Sequence, residues 1–204
     1  MNPRPYHGGE RQRVIDAGRE RIVVAACELL ESEGEDTFSI DAVARRAGVA
    51  RMTVYNQFES KAGLFEAIFD RLAQRGAFGE MADLFREKRD PLAALDAFVA
   101  LFGRFWTDNR RVHRRLRSAA MDDPELSAAL TARNERRRQG LSELVRRLGP
   151  DYASPLPAKE LVNVLFVLLS FQTFDALAGA ERTPKEVTPL VQQLARLAIG
   201  APVE

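Results

Sequence analysis

Cysteine and histidine are scarce in this chain, and their scarcity excludes several kinds of site. One cysteine among 204 residues cannot form an internal disulfide, which fits a reducing compartment. Cys27 falls on an apolar helical stripe, so we expect a buried small hydrophobic residue; a redox sensor is the alternative. The two histidines, His7 and His113, come with no metal-ligand spacing and no nucleophile beside a base. We therefore expect no catalysis, no metal site and no cofactor.

Long apolar runs are absent as well. No stretch of about 18 apolar residues exists, which excludes a membrane-spanning helix. The amino terminus lacks the apolar core of a secretory signal. The chain is 46% hydrophobic and 29% charged, as an ordinary globular protein is. We expect a cytoplasmic protein of one large or two small domains, with no membrane partner.

The alternation of apolar and polar residues that marks β-strands is missing too, and the fold class predicted is all-α. Three dipeptides, Asp90-Pro91, Asp123-Pro124 and Ser154-Pro155, are each predicted to be an N-cap followed by a first-turn proline. The last helix is expected to begin at Thr188-Pro189; a start at Thr183-Pro184 with a kink is the alternative. Other helices are expected at about 16–33, from 60 through 72 and on past Gly76 and Gly79 to Phe85, at 112–120 and at 124–148, with a strongly apolar one through 162–174.

Two short helices joined by a glycine turn are predicted between Ser39 and Lys61. Ser39 is the expected N-cap of the first, and Gly48 ends it by taking the left-handed conformation at little cost. The second helix buries Val54 and Phe58 at i and i+4 and leaves polar side chains outside. Helix, short glycine turn, helix is the signature of the helix-turn-helix DNA-binding motif. The apolar stripe of the first helix comprises Ile40, Val43, Ala44 and Ala47.

At these residues the chain resembles the TetR (tetracycline-repressor-like) family of bacterial transcriptional regulators. The motifs that carry the resemblance are Val43-Ala44-Arg45-Arg46-Ala47-Gly48-Val49, Thr53-Val54-Tyr55-Asn56-Gln57-Phe58 and Ser60-Lys61. Met52 and Gln57 depart from the family pattern, and both lie on the expected reading face. The resemblance implies a three-helix DNA-binding domain followed by a helical domain for effector binding and dimerisation. We predict a flexible basic arm at 1–15, a helix-turn-helix domain at 16–62 and the helical domain at 63–204.

Charge is distributed unevenly in the predicted DNA-binding domain. Residues 1–61 hold nine basic and ten acidic residues, but the acidic ones cluster at the end of the first helix. We expect Asp41 and Glu59 to be the only acidic residues that oppose the basic residues of the helix-turn-helix, which are Arg45, Arg46, Arg51 and Lys61. The arm at 1–15 carries Arg4, Arg11 and Arg13 and either reaches DNA or is a disordered tail.

The expected reading face divides by chemistry. Arg51, Asn56 and Gln57 can meet base edges, whereas hydroxyl and ammonium groups are assigned to phosphates by the resemblance. Met52 either touches a thymine methyl or fills the turn. A merely solvated polar surface is the alternative for the whole face. The predicted DNA-binding residues are Ser39, Arg45, Arg46, Arg51, Met52, Thr53, Tyr55, Asn56, Gln57 and Lys61.

A homodimer is predicted, because one such unit reads too few base pairs to select a site in a genome. The helix around 162–174 is apolar on nearly its whole circumference, which is more apolar surface than a small domain can bury by itself. The resemblance implies that two copies bury it in an intersubunit four-helix bundle. Deep monomer core is the alternative. The predicted dimerisation residues are Val162, Leu165, Phe166, Leu169, Leu190, Leu194 and Leu197.

Aromatic residues concentrate in the second domain, where the resemblance implies an inducer cavity. We expect an apolar or aromatic small-molecule effector, and an anionic one if part of the basic run 110–117 turns inward with His113. Plain core packing and a solvated basic face are the alternatives. The predicted ligand-binding residues are Phe69, Phe98, Phe102, Phe105, Trp106, His113, Phe166 and Phe171.

The sequence thus predicts a DNA-binding transcriptional regulator, by family default a repressor. It would bind a palindromic operator in double-stranded DNA as a homodimer and be released by a small-molecule effector. An all-helical protein-interaction module without sequence-specific DNA binding is the alternative.

Overall fold

The computed structural model describes residues 8–32, 38–75, 81–85, 90–148, 152 and 154–201, and within these ranges the chain is helical without strands. The all-α prediction is confirmed. The helices are α1 Gly8–Glu31, α2 Ile40–Ala47, α3 Arg51–Phe58, α4 Lys61–Arg75, α5 Met81–Leu84, α6 Pro91–Asp108, α7 Arg110–Met121, α8 Pro124–Leu148, α9 Ala158–Leu168, α10 Phe171–Ala178 and α11 Thr188–Ile199.

The chain divides into two compact units, each made of two separate segments. The first unit is Met1–Arg71 with Arg114–Ala129, and the second is Leu72–His113 with Leu130–Glu204. A later segment therefore completes the first unit, because Leu116 and Leu126 are fully buried there.

The first unit is built on α1, whose residues Ile22, Ala26 and Leu30 are completely buried. Helix α1 begins at Gly8, within the stretch 1–15 for which the sequence predicts a flexible arm, and residues 1–7 lie outside the described range. Good helix formers extend α1 beyond its apolar stripe, and Gln12 Nε2 donates to Asp16 Oδ1 one turn on.

Local capping chemistry sets the bounds of most helices. Asp90 accepts the amide of Ala93 ahead of Pro91, and Asp123 accepts that of Leu126 ahead of Pro124, as predicted. The preferred start of α11 at Thr188 is confirmed. The prediction for Ser154 is wrong, because α9 begins only at Ala158 and the Ser154 hydroxyl donates to the carbonyl of Ala198.

The apolar segment of the second unit forms two helices instead of the single one predicted. Ser170 interrupts it, since its side chain accepts the amide of Thr173 and so starts α10. No single described helix has the length and apolarity of a membrane span. Helices α9 and α10 have that length and apolarity only when they are counted together, and they are bent by 48° at their junction.

Candidate nucleic-acid interface

Helix α3 presents one face to solvent and buries the other. Val54 and Phe58 are buried as predicted, while Arg51, Met52 and Asn56 are exposed. Thr53, Tyr55 and Gln57 are half-buried at the margins of the exposed face. Met52 is 65% exposed, so it does not fill the turn. The residues singled out for base reading therefore lie on one accessible surface of a helix of eight residues.

The turn before α3 is built as the sequence predicts. The Ser39 Oγ accepts the amide of Ala42 at 3.2 Å and so caps α2. Gly48 has φ 66°, and its amide and that of Val49 close the end of α2. Ser39 is thus held half-buried at the start of α2, and Arg45 is exposed on the same helix.

Arg19 of α1 positions the carboxyl-terminal end of α3, a role that the sequence analysis did not predict. Its Nη1 donates to the carbonyl of Gln57 at 2.6 Å, and its guanidinium lies 4.3 Å from the centre of the Phe58 ring. Carbonyls in the last turn of a helix have no partner within the helix, so Arg19 satisfies one of them. Sequence reasoning missed it because the two residues are 38 positions apart.

Two of the exposed arginines of the helix-turn-helix are paired with acids. Arg51 lies 3.0 Å from Asp41, and Arg46 lies 3.1 Å from Glu28. The hydroxyl of Tyr55 and the carboxylate of Asp41 raise the pKa of Arg51 above its ordinary value. The expectation that only Asp41 and Glu59 oppose the basic residues is therefore wrong. Glu28 of α1 reaches Arg46 because α1 packs against α2.

Acids also occupy the start of α4. Lys61 forms an ion pair with Asp123, and both side chains are less than one-quarter exposed. The amide of Ala62 donates to the carboxylate of Glu125 at 3.0 Å. Lys61 and the amide of Leu126 lower the pKa of Asp123 below its ordinary value. The positive amino-terminal end of α4 and its lysine thus hold carboxylates from the start of α8.

The segment that contains α2 and α3 is similar to a domain of known proteins. Residues 22–68 match the model of the bacterial regulatory proteins of the tetR family. These residues carry a DNA-binding domain of the tetR-family type. The family consists of DNA-binding transcriptional regulators, and the matched segment is its DNA-binding domain.

Proteins similar to this chain include the nucleoid occlusion factor SlmA of Vibrio cholerae, which is 28% identical over 64% of this chain and 62% of the relative. The transcriptional repressor ComR of Escherichia coli is 33% identical over 45% of this chain and 43% of the relative. Among solved structures, a candidate transcriptional regulator of Saccharomonospora viridis in complex with choline is 17% identical, with a TM-score of 0.66 over 92% of this chain and 100% of that one. This last likeness shows the fold.

The predicted ligand-binding residues fall into both units of the chain. Phe69 is buried in the first unit, and the other seven lie in the second. There Phe98 contacts Phe102, and Trp106 contacts Phe102, His113 and Phe171, with ring centres 4.6 to 5.7 Å apart. Most of these rings are buried, with edge-on or tilted contacts, and Phe166 is half-buried.

The basic residues near this cluster differ in their exposure. His113 is buried, whereas Arg114 is exposed. Arg110 is half-buried and lies 2.5 Å from Asp175. The arginine that does turn inward is Arg137 of α8, at 8% exposure.

The predicted dimerisation residues divide between core and surface. Val162, Leu165 and Leu169 are buried within the protomer. On a helix rich in apolar residues, residue type alone does not tell which side packs inward. Leu190 and Leu197 are exposed, Phe166 and Leu194 are half-buried, and Val167, which was not predicted, is 60% exposed.

Proposed function

We propose that this protein is a TetR-family repressor that binds a palindromic operator as a homodimer and releases it when a small molecule binds. The observation that carries the proposal is the exposed face of α3. Arg51 and Asn56 stand outside while Val54 and Phe58 anchor the helix to its own unit. Such a helix fits the major groove, where arginine matches guanine and amides match adenine.

The homodimer is supported by an exposed apolar face on α9 and α11. Val167, Leu190 and Leu197 form this face, which we call the pairing face. Exposed leucine and valine on two helices of one unit are costly in water, and a second copy would cover them. Two recognition helices would then read half-sites about 34–36 Å apart.

The effector is supported by the second unit and by a relative. The aromatic side chains clustered in the second unit are of the kind that line binding sites for apolar or aromatic small molecules. The Saccharomonospora structure of the same fold contains choline. Repression is supported by ComR, which is named a repressor. The protein would act in the cytoplasm, where its operator is.

Selection of genomic fragments followed by fluorescence anisotropy tests the proposal. We expect full-length protein to select fragments with an inverted repeat and to bind them at nanomolar concentration, with affinity falling steeply as salt rises. Scrambling one half-site should cost at least tenfold in affinity. Equal, weak binding to every fragment would contradict the proposal and favour a protein-interaction module.

A further inference from the structure

Arg137 is a cation inside the second unit. It lies on α8 with 8% of its surface exposed. Its Nη1 reaches the carbonyl of Leu169 at 3.4 Å, a weak hydrogen bond that this carbonyl shares with the Trp106 indole N–H at 3.1 Å. Its Nε donates to no partner within the described ranges. A guanidinium has five N–H donors, so most of its capacity in the described structure is unused.

No carboxylate of the described residues pairs with Arg137, in contrast to other arginines of this unit. Arg110 lies 2.5 Å from Asp175, and Arg196 lies 2.5 Å from Asp96. Burial, and then the neighbouring charge of Arg138, lower the pKa of Arg137 to about 10. Charged side chains are seldom buried without a counter-ion, because desolvation is costly. A structural role alone gives no reason to keep this charge.

Aromatic rings hold the guanidinium in place. Its central carbon lies 4.5 Å from the centre of the Phe166 ring, 5.7 Å from that of Phe102 and 5.8 Å from that of Trp106. Phe102 and Trp106 are buried, whereas Phe166 is half-buried. The side of Phe166 is therefore the more accessible approach to Arg137.

We propose that Arg137 is the anion-binding group of the effector site, and that the effector is a carboxylate attached to an apolar or aromatic body. Because the guanidinium is planar, it can donate two parallel hydrogen bonds to the two carboxylate oxygens. Phe102, Trp106 and Phe166 would contact the apolar part of the effector. The rings already hold one cation, so a cationic ligand such as choline is disfavoured. This inference rests on the proposed function, which supplies the effector.

Fluorescence of Trp106, the single tryptophan of the chain, gives a local readout. Full-length protein is titrated with octanoate, benzoate and phenylacetate, each compared with its neutral primary amide, and with choline. We expect at least one carboxylate to change the fluorescence and to bind at least about tenfold more tightly than its amide, because hydrogen bonds to charged groups are worth that much. Choline should not bind.

Arg137→Gln should reduce the preference for carboxylate over amide to about threefold or less, in line with the loss of one charge-assisted contact. Arg137→Lys should keep an intermediate preference, since it retains the charge but not the fork. Arg136→Gln, at the exposed neighbouring position of α8, is the matched control and should bind as the parent does. Thermal melting establishes that each variant is folded, and Arg137→Lys carries the test if the glutamine variant is not.

Two results would overturn the inference: no carboxylate of the panel binds at millimolar concentration, or the full preference survives both substitutions at Arg137. Anisotropy with the selected operator separates this from the proposed function. Intact operator binding without carboxylate binding rejects the Arg137 site alone. Carboxylate binding that leaves operator affinity unchanged rejects effector control but keeps the site.

Discussion

Individual side chains on and beside α3 would have separable tasks in the proposed function. Asn56 and Gln57 would read bases, whereas Lys61 is paired with Asp123 in the protein. A lysine that binds a phosphate would have to exchange that carboxylate for DNA. Asp123 would therefore compete with the DNA backbone for Lys61, and this competition can be measured.

The first prediction concerns sequence reading by Gln57. Gln57→Ala should change the affinity for operators that differ at one base by about 1–3 kcal/mol while leaving affinity for unrelated duplexes unchanged. Lys61→Ala should weaken binding to all duplexes and reduce the salt slope by about 1. Anisotropy titrations across a salt series measure both. Equal effects of the two substitutions on every duplex would contradict the division.

Asp123→Asn supplies the matched variant for Lys61. Because it removes the competing carboxylate charge but keeps a side chain that can cap α8, it should strengthen binding to all duplexes. Unchanged affinity in this variant would show that Lys61 acts within the protein only.

Contacts between helices show where the elements approach most closely. Gly103 of α6 faces Thr188 of α11, and a Cβ at residue 103 would clash with the Thr188 hydroxyl and press on the Phe174 ring. Glycine at this position therefore sets the spacing of the two helices.

The second prediction is that Gly103→Ala lowers the free energy of unfolding by about 1–3 kcal/mol, the usual cost of overpacking. Adding Thr188→Ala should recover most of the loss, because it removes the atom that clashes. Urea denaturation of the parent, both single variants and the double variant gives the coupling energy. Additive losses would mean that the helices do not meet at this point.

The third prediction links the start of α4 to pH. The pKa of Asp123 is lower in the folded chain than its ordinary value of 3.8. A carboxylate with a lowered folded pKa stabilises the fold above its unfolded pKa, and the contribution is lost as the pH falls through the folded value. Stability should therefore fall below about pH 4, and Lys61→Met should flatten this part of the profile. Thermal melting between pH 2 and 7 checks it, and identical acid profiles would contradict it.

At the scale of the whole molecule, the proposed pairing face would bring two DNA-binding domains together. The fourth prediction is that Val167→Glu and Leu197→Glu convert a dimer into monomers, since each puts a charge on the apolar surface that must be buried. Light scattering after gel filtration measures the mass. Operator affinity should drop with the dimer.

Met121→Glu is the control for the pairing face. Met121 is also an exposed apolar residue, at 84%, but it lies in the first unit and outside the face. It should leave mass and operator affinity unchanged. A parent protein that is monomeric at micromolar concentration would contradict the proposed homodimer.

The sequence by itself determined the helix-turn-helix and most helix bounds. Gly48, Asp90-Pro91 and Thr188-Pro189 act through the backbone of their immediate neighbours, so a few adjacent residues contain all the information needed. The burial of Val54 and Phe58 follows likewise from spacing along one helix. Only tertiary structure decided the partners of Lys61 and Arg46, the burial of Arg137 and the outward position of Val167. Those features depend on which distant segments of the chain meet. On a helix rich in apolar residues, residue type and spacing do not determine which side packs against the rest of the protein.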